Sequence, residues 1–391
     1  MIEHKQVFEK LKNYCEDNNF KGYDPFDGLN STFFQSVPFA KNNSLIRLTW
    51  LQFFKRSPIN LRKIAGVSKD FNPKGLGLFL QGYCNIYKIN PQKEYLNKIE
   101  YIIGEIKKLV SPGYSGDCWG YNFDWQARAF FQPKGTPSVV VTSYIACGLL
   151  DAYEILKSEE LLKMARSACD FVLKDLNRTY DNDGDFSFSY CPLDHTQVFN
   201  ASLLGARILC RVYYYTQEEI LISESKKVVS FVCKYQNPNG SWAYSPLPYH
   251  KWIDNFHTGY NLECIYLYKT VSNDDSFDEF IDKGLDYYLN TFFEESGLPK
   301  YYSDSKYPID MHTTAQLIVT LYKLGKLNEN IKLVEKVLKW SFDNMFDHKR
   351  GYFYYYKEKW GTIKISYIRW IQAWMFVGLS YYITFDENEK N

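Results

Sequence analysis

A helical unit returns about six times along this chain, each time introduced by a loop of glycine and aromatic residues, and that regularity leaves few folds open. The loops read WGYNFDW from Trp119, GDFSFSY from Gly184, GSWAYSP from Gly240, GLPKYYS from Gly297 and GYFYYYK from Gly351. Apolar helices follow these loops, separated by short polar turns from amphipathic ones, at a spacing of roughly 58 residues. Units of this kind bury their apolar faces on one another, so the architecture depends on how the array closes.

The helices come in two kinds. One set is apolar nearly all round: LGLFLQGYCNIY after Lys74, SVVVTSYIACGLLDAYEIL from Ser138, TQVFNASLLGARILCRVYYY from Thr196, HTGYNLECIYLYKTV from His257, HTTAQLIVTLYKLG from His312 and SYIRWIQAWMFVGLSYYI from Ser366. Helices buried on every side have this composition. The other set, beginning near Gln92, Glu159, Glu218, Asp275 and Glu329, carries one charged face. An inner ring wrapped by an outer ring accounts for both, and the sixth outer helix is expected at Asn43–Ile59. The fold class is therefore all-α, an (α/α)6 toroid over 43–391 with short β-hairpin-like loops on one face. Residues 1–42 are expected as a helix and loop packed on its outside.

Inner-to-outer turns are tight and polar, whereas outer-to-inner connections are long and aromatic. Long loops in compact domains are usually functional, so the amino ends of the inner helices should border the site. Three of those ends bring Asp and His together: Asp194-His195, Asp254 with His257, and Asp310 with His312. Asn200, Asn261 and Gln316 lie within the same helices. An Asp before a helix caps it, but a His in the first turn has its cationic form disfavoured by the dipole and stays usable as a base. In the loop from Asp117 to Pro137, Asp124 sits between Phe123 and Trp125, where desolvation would make it a general acid. Arg128 beside it could hold an anionic group, and Trp119, Tyr121 and Trp125 could stack on sugar rings. Trp242, Tyr244 and Trp252 form a second aromatic loop, and Arg369 and Trp370 could complete the wall.

Composition narrows the classes. With 46 Lys and Arg against 45 Asp and Glu there is no basic excess for nucleic acid. Aromatic residues make up 18%, which suits ligands that are themselves amphipathic, such as sugars. Nine cysteines without a CxxC pair point to a reducing compartment, and no apolar run is expected to span a membrane, so a cytoplasmic location is expected. DNDGD at Asp181–Asp185 resembles the start of a calcium loop but lacks the distal Glu, and DDSFD at Asp274–Asp278 matches a diphosphate-binding spacing at a helix start; both also read as ordinary turn and cap chemistry. No metal or cofactor is expected.

The segment WGYNFDWQAR…GTPSVVVTSYIACGLLDAYE, together with VFNASLLGA and DNFHTGYNLE, resembles the six-hairpin toroid superfamily. That group holds sugar epimerases of the N-acylglucosamine type, unsaturated glucuronyl hydrolases, other glycoside hydrolases and toroidal polysaccharide lyases. The same segments are similar to bacterial proteins of exopolysaccharide and O-antigen loci. The resemblance implies a carbohydrate-active enzyme with an oligosaccharide or polysaccharide substrate. The expected reaction is hydrolysis of a glycosidic bond in a surface polysaccharide or its precursor, with Asp124 as general acid and Asp254 or Asp310 as partner. If it is an epimerase or lyase, His257 and His312 are the expected proton-transfer groups. A terpene cyclase or prenyltransferase-like toroid and a non-catalytic glycan-binding protein are the remaining readings.

Overall fold

A computed structural model describes residues 2–127 and 130–388. Helix accounts for 58% of the described residues, in fourteen α-helices. Three helices come first: α1 (Ile2–Asp17), α2 (Thr32–Ser36) and α3 (Ser44–Arg56). The inner ring is α4 (Pro73–Ile89), α6 (Val139–Leu156), α8 (Phe199–Thr216), α10 (Asn255–Ser272), α12 (Met311–Lys323) and α14 (Ala373–Asn388), the last entered through a π-helical turn at Ile368–Gln372. Each packs on the next and α14 returns to α4, which closes the circle. The outer helices α5 (Lys93–Lys108), α7 (Glu159–Lys174), α9 (Glu219–Cys233), α11 (Asp278–Phe292) and α13 (Ile331–Met345) alternate with them. The fold is thus an (α/α)6 toroid.

The sixth outer helix is α1, not Asn43–Ile59. Val7, Phe8, Leu11 and Cys15 form its buried stripe, with the Phe8 ring 5.0 Å from Phe376 of α14. The loop glycines make the same point. Gly297, at φ 85°, would drive a Cβ to 2.3 Å from the Lys336 carbonyl of α13; Gly351, at φ 76°, would drive one to 2.7 Å from the Lys10 carbonyl of α1. Each glycine lets its loop sit on the backbone of the next outer helix, and for the last loop that neighbour is α1. The chain therefore opens with the outer half of its final hairpin. Residues 2–17 belong to the ring, and α3, with only Leu51 and Phe54 buried, lies against the hairpin that follows α5.

The turns follow simple rules. Asn72, Ser138, Asp254 and Asp310 cap α4, α6, α10 and α12 through their side chains. Lys157, Gln217 and Asn273 take the left-handed conformation at the ends of α6, α8 and α10, which reverses the chain in a single residue. The long connections carry short hairpins: β1 (Trp125–Gln126) with β2 (Phe131–Gln132), β3 (Arg178–Tyr180) with β4 (Phe186–Phe188), and β6 (Phe346–Asp347) with β7 (Tyr352–Phe353). A three-stranded sheet joins β5 (Ile309–Asp310), β8 (Tyr356–Glu358) and β9 (Gly361–Ile363). All lie on the outer-to-inner face. The nine cysteines are buried and free. By length and composition α6 is apolar enough to cross a membrane, contrary to expectation, but 72% of it is buried because ring neighbours cover it on both sides.

Candidate active site

The second residue of every inner helix lines one chamber. These are Lys74, Val140, Asn200, Phe256, His312 and, in the turn leading to α14, Arg369. The chamber has a volume of about 260 Å³ and shares Phe26, Trp125, Tyr190, Tyr244, Trp252 and Tyr302 with a wider mouth of about 490 Å³. Helix amino ends carry unpaired N–H groups and the positive end of the dipole, so their convergence gives the floor a positive potential. Among the described residues no Asp or Glu lines either compartment, whereas Lys55, Arg56, Lys74 and Arg369 do.

Asp254 and His257 form a dyad. One carboxylate oxygen of Asp254 accepts the His257 backbone N–H at 3.0 Å, and the other lies 2.6 Å from His257 Nδ1. The Trp252 indole donates to that second oxygen at 3.2 Å. A carboxylate on Nδ1 holds the proton there and leaves Nε2 as the basic edge in the chamber. Tyr244 stacks on Trp252, with centroids 4.5 Å apart, and supports the pair from the mouth side.

His312 is enclosed. Its ring lies between Phe256 at 4.4 Å and Trp374 at 4.1 Å, and its Nε2 is 2.6 Å from the Tyr260 hydroxyl. Burial, then the neighbouring Lys74, His257 and Arg369, hold its pKa well below the usual value, so it is neutral. Burial likewise pushes the Tyr260 phenol far up, so it keeps its proton. Asp310 accepts the His312 N–H at 2.9 Å and the Trp370 indole N–H at 2.7 Å.

Burial raises the Asp310 carboxyl to about 7. An unfolded chain releases that proton near pH 4. The folded state therefore holds an extra proton between those values, and the associated stability, complete at about pH 4, is lost as pH rises through about 7. Asp310→Asn keeps a good cap and removes the titration. Urea unfolding from pH 5 to 8 should show wild type losing on the order of 3 kcal/mol while the variant stays flatter; equal slopes would refute the shift.

Two cations meet the chamber differently. Arg369 is paired through two nitrogens with the buried Asp24 carboxylate, at 2.5 and 2.8 Å. Among the described residues no carboxylate lies within ion-pair distance of Lys74; its ammonium lies 4.4 Å from the Tyr144 ring and 5.3 Å from that of Trp374. Burial, then Arg369 and Arg207, depress its pKa well below the usual value. Asn200 Oδ1, on the same lining, is buried without a partner among the described residues.

The expected residues divide three ways. His257, His312, Tyr121, Trp125, Asn200, Tyr244, Trp252, Arg369 and Trp370 line the chamber or its mouth, with Asp254 and Asp310 directly behind them. Others lie elsewhere. Trp119 and Trp242 are core: their indoles donate to the Ile106 and Val232 carbonyls at 2.9 and 3.1 Å. Asn261 and Gln316 are buried outside the lining, and Gln316 belongs to a closed network with Glu263, Thr320 and Lys323. His195 is exposed and lines neither compartment. Asp124 accepts the Lys134 N–H at 2.7 Å and does not line the cavity. Arg128 lies outside the described residues. The acidic clusters have cationic partners: Lys234 reaches Asp181, Asp183 and Asp185 at 2.8, 2.6 and 2.7 Å, Lys226 holds Asp274, and Lys269 holds Asp278.

Lys74, Tyr260, Tyr190 and Asp24 were not singled out from the sequence. For Lys74 a signal existed: it stands two residues past its cap Asn72, the register that His312 holds after Asp310.

Solved structures with this fold handle sugars. An unsaturated glucuronyl hydrolase specific for heparin superposes with a TM-score of 0.64 at 12% identity, covering 99% of this chain and 97% of its own. Cellobiose 2-epimerase from Bacillus thermoamylovorans gives 0.63 at 11%, covering 81% and 88%. A GH76 α-mannanase from Bacteroides thetaiotaomicron gives 0.61 at 13%, covering 82% and 88%. All belong to the (α/α)6 toroid superfamily, and at these identities the likeness is one of fold. No protein-family model and no curated protein matches the chain.

Proposed function

We propose that the protein is a carbohydrate-active enzyme that moves a proton at a sugar carbon beside a carbonyl, as an epimerase or isomerase does. The observation that carries this reading is a chamber walled by an Asp-oriented histidine, a second neutral histidine and cations, with no carboxylate among the described lining residues. Hydrolysis of a glycosidic bond ordinarily needs two carboxyl groups flanking that bond. Here Asp124 serves a hairpin, Asp254 holds His257 and Asp310 holds Trp370.

In the proposed step His257 Nε2 takes the C–H proton, and the electron pair moves onto the carbonyl oxygen. Lys74 and Arg369 meet the resulting enolate, whose charge favours the protonated amine. Tyr260, its ring centroid 5.8 Å from that of His257, carries the second proton site, backed by His312. A proton returned to the same carbon from the opposite side gives the epimer; one delivered to the adjacent carbon gives the isomer. Trp125, Tyr244 and Trp252 supply stacking faces at the mouth.

The test is incubation of purified protein with reducing mono- and oligosaccharides in D2O, read by NMR and mass. The expected result is deuterium at the carbon next to the carbonyl in an uncleaved sugar, unaffected by Asp124→Asn. Cleavage with uptake of water, lost in Asp124→Asn, would return the reaction to hydrolysis.

A further inference from the structure

The stretch from Gly28 to Lys69 differs from the rest of the molecule. It holds seven basic residues (Lys41, Arg47, Lys55, Arg56, Arg62, Lys63, Lys69) and no Asp or Glu, in a chain that carries 46 basic and 45 acidic residues overall. Among the described residues ten Phe, Val, Leu and Ile side chains are strongly exposed, and eight fall here, with Phe39 at 82% and Ile64 at 85%. Single exposed apolar residues mean little, but a cluster rimmed by charge marks a docking surface.

The cluster is partly continuous. The Phe33 ring stacks on Trp50 at 5.9 Å, and Trp50 meets Phe53 of α3 at 6.2 Å. The Phe33 N–H donates to the Ala65 carbonyl, which places Ile64 alongside. On α3 the side bearing Leu48, Leu51, Gln52 and Lys55 walls the cavity mouth, and Leu45, Ile46 and Phe53 face outward. Lys41, Arg56, Lys63 and Lys69 are exposed, with no carboxylate in ion-pair contact among the described residues. On either side of Ile59, Pro58 and Asn60 enter a cleft of about 360 Å³ with Lys21, Lys69, Arg350 and Lys364, and no acid is among its described lining residues.

We propose that this surface seats the protein on an anionic lipid bilayer, with the exposed apolar side chains entering the interface and the basic cleft receiving headgroup phosphates. Charge decides the occupant. A second copy of the chain in a two-fold interface would set the acid-free patch against itself, like charge on like. An anionic bilayer offers what the patch lacks: negative charge above an apolar layer, worth about 1 kcal/mol for each cation near the surface and more for each inserted apolar group. Because α3 has its other side on the cavity mouth, a bilayer so bound lies close to the entrance.

The test is co-sedimentation of the intact protein with phosphatidylcholine vesicles, with and without phosphatidylglycerol. Binding is expected to the mixed vesicles alone and to weaken with salt. The exposed pair Lys41→Glu and Lys63→Glu should lower the partition coefficient at least about tenfold. The exposed pair Phe39→Ser and Ile64→Ser should lower it comparably, with unfolding midpoint and cavity activity unchanged. Failure of wild type to bind mixed vesicles overturns the proposal. So does a dimer in light scattering that the Phe39→Ser and Ile64→Ser pair dissociates, which would make the patch a subunit interface. Neither outcome touches the proton-transfer reading, which the D2O experiment tests separately.

Discussion

Replacing His257 with Asn should lower the rate of deuterium exchange into the sugar by about 10²- to 10⁴-fold, the range that a positioned acid–base group contributes. Binding should change little, because the stacking faces of Trp125, Tyr244 and Trp252 stay in place. The variant is a fair test of chemistry because one Asp254 oxygen caps α10 through the backbone N–H of residue 257, a bond that survives loss of the ring held by the other oxygen. Asp254→Asn separates orientation from capping. Asn caps about as well as Asp, so α10 should start where it does now. The ring would lose the carboxylate that fixes its proton on Nδ1, and kcat should fall with KM nearly unchanged. Exchange at the wild-type rate in His257→Asn would remove the proposed base, whatever the protein then does with sugars.

The ring was legible because its signal repeats. Val139–Leu156 is apolar nearly all round, as a helix is where neighbours cover most of its surface. The hairpin that closes the ring was harder to read, since α1 and α3 are both amphipathic segments of outer-helix length. Only tertiary contacts such as Phe8 on Phe376 separate them. The site was legible where chemistry and position coincide, as at Asp254 and His257. It was misleading where aromatic loops serve the core: Trp119 and Trp242 occupy equivalent places and spend their indole N–H groups on outer-helix carbonyls. Asp124 looked desolvated between two aromatic neighbours in sequence, but its carboxylate is taken by a turn ten residues on. Lys74 was missed because its unit lacks the introducing loop, so only the cap-plus-two register points to it.

That lysine carries the prediction with two opposite signs. Lys74→Met should cost activity and raise stability. In the unfolded chain the ammonium is in water; on folding it enters a site among Tyr144, Tyr260 and Trp374 with two arginines nearby and, among the described residues, no carboxylate in ion-pair contact. Cation–π attraction offsets roughly 1 or 2 kcal/mol of that burial, less than the several kcal/mol an ion loses when its water is removed. Met has similar length and no charge to bury, so the urea midpoint should rise by the equivalent of about 1 to 4 kcal/mol. The exchange rate should fall by about 10²- to 10³-fold, the loss seen when one donor aimed at a developing oxyanion is removed. A residue kept only for packing would not couple these effects: its loss would lower stability and leave the rate alone. Thermal or urea unfolding and D2O exchange on one preparation decide the matter. A less stable Lys74→Met protein with unchanged exchange would mean that the buried amine belongs to the core, and that the enolate charge in this chamber is met by Arg369 without it.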